Sequence, residues 1–277
     1  MAHAGGHFNR DAVLLARRRK FERPYQGRVE VCQSHLALVM LTETVSLSLL
    51  TMTRFPRPGC WFRFTPADWY FIRDTLAPSD RNREGFNAIL DDPNAIPLIL
   101  DNDRLFDEVV GSKRGLNVSP ELFFFLVIRH SLKERGITAM QVADYMAVVF
   151  ADFGCGASKG PDEINRSIDS LYSVDYLEAI QEAGGHHKFF LHVQCANQFL
   201  VLTCLYPDFI HRRAERRGAP DVDYYEQVVV SHLEAAQKHV LADEFALEET
   251  LGLVADSFPA ARRAMNHTVR EYLSLGQ

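Results

Sequence analysis

The chain has no cysteine pairs to build on. Its five cysteines, Cys32, Cys60, Cys155, Cys195 and Cys204, are odd in number and never stand at C-x-x-C spacing. That excludes a disulfide framework and a zinc ribbon or finger, and points to reduced thiols in a cytoplasmic protein. Sustained period-2 alternation between turn signals is missing too, so no sheet is expected. No repeat of fixed length appears, which excludes a solenoid. A general excess of basic charge is absent: the formal net charge is −6, unlike a protein that coats nucleic acid over its whole surface.

What is there is an ordinary globular composition, 47% apolar and 24% charged over 277 residues, enough for one large helical domain or two smaller ones. The charge is uneven. Residues 1–30 carry seven Arg or Lys against three Asp or Glu, leaving about −10 on the remainder. Behind the run Arg17-Arg18-Arg19-Lys20 lies an apolar stretch, residues 31–52, diluted by Ser and Thr and interrupted by Glu43. Three readings fit residues 1–55: a poorly ordered basic and apolar N-terminal extension, an extra packed helix, or a membrane-directed signal. The first is favoured, because an ionised carboxylate is costly in mid-membrane and the segment shows no helical period. Met40 and Met52 both offer alternative starts.

From Thr65 onward helix signals recur. Thr65-Pro66-Ala67-Asp68 supplies an N-cap, a first-turn proline and an acid, and Trp69, Ile72 and Leu76 share the face that follows. Ser79 and Asp80 open a helix to Leu90, and another runs from Leu105 to Val110. Ser119-Pro120-Glu121 starts a helix whose residues Leu122 to Ile128 are seven consecutive apolar side chains, which belongs at a bundle centre. Gly136 ends it. Thr138 and Gln141 form a capping-box pattern for a helix to Phe153, buried through Val142, Met146, Val149, Phe150 and Phe153. Residues 154–165 read as a linker. Further helices are expected at Ser167–Ala183, His186–Arg217 with a kink at Pro207, Val222–Leu241, Leu247–Phe258 and Pro259–Leu275. The expected architecture is an all-α bundle of about eight to ten helices over residues 56–277, with a subdivision allowed near 154–165.

Two constellations carry chemistry. The first is the histidine-rich stretch from Gly184 to His211 with the acidic row before it. His186, His187, His192, Asp208, His211, Glu178 and Glu182, with Asp175 beside them, are ligand types for iron or zinc. They would suit a metal-dependent oxidase or hydrolase if three or more converged. Yet the Glu-x-x-His pairs of di-iron bundles are absent, and His192, Cys195, Phe199, Leu202 and Tyr206 form one stripe that reads better as core. The second is Arg212, Arg213, Arg216 and Arg217, two basic rows able to grip a phosphate on a small anion or on nucleic acid. Cations before Gly218 also complement a helix C-terminus, and no aromatics interleave them.

Weaker matches are read structurally. Residues 136–146 look like the first helix of a helix-turn-helix, but no turn follows. Residues 154–160 have the glycines of a phosphate loop without its Gly-Lys-Ser/Thr order. Ser231, His232, His239 and Asp243 lie on one expected helix, where a nucleophile and its base seldom meet. His232 and His239, seven apart with Ala235 and Ala236 between, would suit a flat tetrapyrrole or a close helix neighbour.

Ser79-Asp80-Arg81-Asn82-Arg83, Arg212-Arg213 with Gly218-Ala219-Pro220-Asp221, and Phe258-Pro259-Ala260-Ala261-Arg262-Arg263-Ala264 give residues 65–275 a texture that resembles uncharacterised all-α bacterial proteins. The resemblance implies no activity and assigns no residue a role. It places the first fifty residues outside the main domain. The favoured function is a non-catalytic helical protein binding a partner protein or an apolar small ligand. A metal-dependent enzyme is the alternative, and anion or nucleic-acid binding the second. Membrane association is not expected.

Overall fold

The structure is a computed structural model, and it describes residues 59–90, 92, 94–111, 117–156 and 173–272. All of these belong to one compact unit of the chain. The expectations for residues 1–55 and for most of the 154–165 linker lie outside them. Among the described residues there are twelve helices and no strand, so the protein is an all-α bundle.

The first described element is a 3-10 turn, Cys60–Arg63, followed by α1, Pro66–Leu76. Thr65 and Asp68 cap α1 reciprocally: the Thr65 amide donates to the Asp68 carboxylate at 2.6 Å, and the Asp68 amide donates to the Thr65 hydroxyl at 3.4 Å. Then come α2, Asp80–Leu90, α3, Ala95–Leu100, and α4, Asp103–Gly111. α3 was not foreseen; Pro97 sits in its first turn, where a missing N–H costs nothing.

α5, Pro120–Lys133, is capped by the Ser119 hydroxyl, which accepts the Leu122 amide. Its run of apolar residues is buried on most sides, with Leu122, Phe125, Val127 and Ile128 fully enclosed. Gly136, at φ +73°, closes it in a Schellman turn, with the Ile137 amide donating to the Leu132 carbonyl at 3.0 Å. α6, Met140–Gly156, lies along α5 and continues without the turn a helix-turn-helix needs.

α7, Ser173–Glu182, packs on α8, Gly185–Leu205. α9, Pro207–Arg217, α10, Val222–Gln237, α11, Val240–Glu244, and α12, Glu248–Tyr272, complete the bundle. α12 touches α5, α6, α8 and α10, and so joins the two groups of helices. Phe125, Phe150, Phe189, Phe199 and Phe258 are fully buried, each stabilising the fold by about 1.5–3 kcal/mol.

Two prolines behave oppositely to expectation. Pro207 does not kink one long helix but separates two, α8 and α9, whose axes turn by 93°. Lacking an N–H, Pro207 cannot satisfy the Thr203 carbonyl. The side-chain amide of Asn266 on α12 does so instead, donating at 2.8 Å to both Thr203 and Cys204 carbonyls. Pro259, expected to start a helix, lies inside α12, which continues through it. Burial of Ala255, Phe258, Ala261 and Met265 on either side offsets the roughly 3 kcal/mol that an internal proline costs. Nor does α10 reach Leu241: it stops at Gln237, and His239 caps the short α11 by accepting the Leu241 amide at 3.2 Å.

No single described helix is long and apolar enough to cross a membrane.

Candidate functional site

Among the described residues, α8 and α10 form the most extensive helix pairing. Small residues permit it: Ala196 and Ala236 are fully buried, and Ala235 is half-buried. Between these helices two imidazoles meet, His192 of α8 and His232 of α10. Their Nδ1 atoms are 3.0 Å apart, with ring centroids at 4.9 Å and planes at 48°. His232 is buried and His192 half-buried. Burial holds the His232 pKa down to about 4, with His192 adding to the effect. Burial also lowers His192, assisted by His239 and Lys188. Both rings are therefore neutral at pH 7, and one Nδ1–H donates to the other nitrogen.

His239 stands near this pair, at the start of α11. Its Nε2 lies 3.3 Å from the Gly185 carbonyl, and its ring faces those of His186 and Phe189 at 6.2 and 5.5 Å. Because α10 ends before it, His239 does not share a helical face with His232, and the arrangement expected for a flat tetrapyrrole is not formed. Ser231 turns away from catalysis: its hydroxyl donates to the Gln227 carbonyl one turn back at 2.6 Å.

The other candidate ligands are scattered. Glu178 and Glu182 are exposed on α7, together with Asp175. His186 is exposed and His187 half-buried in the first turn of α8. Asp208 is exposed on α9, where Arg270 of α12 approaches it at 3.4 Å, and His211 lies 3.2 Å from Glu215 on the same helix. Among the described residues no group of three or more His, Cys, Asp or Glu side chains is placed to hold a metal ion.

The arginine rows divide as well. Arg212, Arg216 and Arg217 are exposed, while Arg213 folds over the Phe209 ring at 5.7 Å. Gly218, at φ +62°, caps α9, so these cations sit at a helix C-terminus, where they offset its negative end. Arg213 and Phe209, with Leu202, Ile210 and Tyr225, line a shallow depression with room for about one water molecule. Drug-sized ligands use pockets of about 300–1,000 Å³.

The outer face of α7 is different in kind. Ser173 and Tyr176 point inward and are buried, and the Tyr176 hydroxyl donates to Gln198 of α8 at 2.7 Å. Val174 and Leu177, 54% and 47% exposed, are neighbours one turn apart on the outside. Tyr224 of α10, 40% exposed, reaches the same end of α7, its hydroxyl 2.9 Å from that of Ser173. Asp175, Glu178 and Glu182 run beside this apolar edge.

The sequence spacing exposed the acidic row on α7. It did not expose the His192–His232 pair, whose members are forty residues apart on different helices. No family model, curated protein or solved structure matches the chain.

Proposed function

We propose that the protein is a non-catalytic helical module that binds a partner protein through the outer face of α7. The observation that carries this reading is the exposed pair Val174 and Leu177, extended by Tyr224 and bordered by Asp175, Glu178 and Glu182. An apolar edge beside an acidic row complements an amphipathic helix with a leucine stripe and flanking lysines or arginines. A protein partner is favoured over an apolar small molecule, because Val174 and Leu177 stand exposed on the outside of a helix. The free, buried thiols of Cys60, Cys195 and Cys204 go with a cytoplasmic setting.

The test uses a fluorescent helical peptide of leucine and lysine at heptad spacing, titrated with the full chain and followed by anisotropy. Saturable binding that weakens with salt is expected, and Val174→Ser/Leu177→Ser should weaken it about tenfold or more. Equal affinity for wild type and the double variant overturns the reading.

A further inference from the structure

The geometry points to a second site: His192 and His232 form a two-nitrogen chelate for a divalent transition-metal ion of the zinc, nickel or copper class, with water completing the coordination. The Nδ1···Nδ1 separation of 3.0 Å is the main observation. An ion about 2.0–2.1 Å from both nitrogens subtends an angle of about 90° across that gap. This is close to the angle that square-planar and octahedral shells require, so the separation itself suits a chelate. The pairing of α8 with α10 fixes the separation before any ion arrives, and a chelate formed by packing loses little side-chain freedom on binding.

Two further facts agree. His192 is half-exposed, which brings the pair within reach of solvent. Borderline imidazole nitrogens select late transition ions over magnesium or calcium, which prefer oxygen.

The proton balance is simple. In the empty pair one Nδ1 carries a proton and the other accepts it. Binding requires both Nδ1 lone pairs, so that proton transfers through solvent to Nε2 of the same ring. No proton is released at neutral pH, and both rings become Nε2–H tautomers. Lys188, one turn before His192, acts on the pair electrostatically. Its charge opposes the incoming dication, and with only two protein ligands the affinity lies well below that of a structural four-ligand zinc site.

The experiment is isothermal titration of the full, tag-free, chelator-stripped chain with Zn²⁺ at pH 7.5, with thermal unfolding alongside. Wild type should bind one equivalent more than His192→Gln or His232→Ala, and zinc should raise its Tm by about 2 °C or more. The heat of that equivalent should not change with the ionisation enthalpy of the buffer, because no proton leaves. Acidification should weaken that equivalent, because protons compete for the same nitrogens. If His232→Ala fails to fold, the half-exposed His192→Gln, checked by circular dichroism, decides alone. The same stoichiometry in wild type and His192→Gln identifies an adventitious ion only, held by surface histidines, and overturns the proposal. Absence of binding to wild type overturns it equally.

Discussion

The carboxylate of Asp144, in the first turns of α6, accepts the backbone amide of Cys60 at 2.5 Å through one oxygen and that of Gly59 at 2.5 Å through the other. Eighty-four residues of chain separate Asp144 from Cys60, and Asp144 is buried. Asp68 does a similar service for the amide of Ser119 at 2.6 Å. Two aspartates thus tie the entry of the bundle to its central helices, by satisfying amides that no helix supplies with partners.

Asp144→Ala leaves two buried amides without acceptors. A loss of about 2–4 kcal/mol is expected, read as a lower urea midpoint at unchanged m-value. Asp144→Asn retains one acceptor oxygen and should fall between wild type and the alanine variant. Equal stability of all three would show that water replaces the carboxylate at no cost.

Glu121 is 2% exposed, and its Oε2 has no hydrogen-bond partner among the described residues. Burial raises its pKa, against smaller lowering effects from its own backbone amide and Arg63. The folded state therefore holds a proton at pH values where the unfolded chain has released it. Stability from this group rises as pH falls through the raised pKa and levels off below the ordinary value of 4.5. Glu121→Gln should stabilise the protein at pH 8, and its advantage should shrink on acidification. An advantage independent of pH between 8 and 4.5 would contradict this.

The histidine pair acts in the opposite sense. With His232 held near 4 and His192 also lowered, the unfolded chain binds more protons than the folded one below about pH 6.5. Their contribution is complete above that pH and is lost as pH falls toward 4. The double variant His192→Gln/His232→Gln should therefore lose less stability than wild type between pH 7 and 4.5 in urea titrations. Parallel pH profiles would remove the pair as the cause.

Asn266→Ala strips the Thr203 and Cys204 carbonyls of their donor at the α8–α9 corner. About 1–3 kcal/mol of destabilisation is expected, together with faster amide exchange in the last turn of α8. Asn266→Asp should be worse, because it sets a carboxylate against two carbonyl oxygens. An aspartate variant as stable as wild type would show that the corner does not depend on this donor.

Local signals in the sequence were enough for the all-α class, the caps at Thr65 and Ser119, the stop at Gly136 and the central position of α5. Each depends on residues within a turn or two of one another, where hydrogen bonding and steric limits act at short range. Tertiary structure decided what one residue type does in two settings. Pro207 breaks a helix because Asn266, from α12, can satisfy the carbonyls it abandons, whereas Pro259 is carried inside a helix by burial on both sides. It also decided that His192 faces His232 rather than the other candidate ligands. That meeting depends on how α8 packs against α10, which no spacing along a single chain encodes. The acidic row on α7 was visible as a row, but only packing showed that Ser173 and Tyr176 take the inward face and leave Val174 and Leu177 outside.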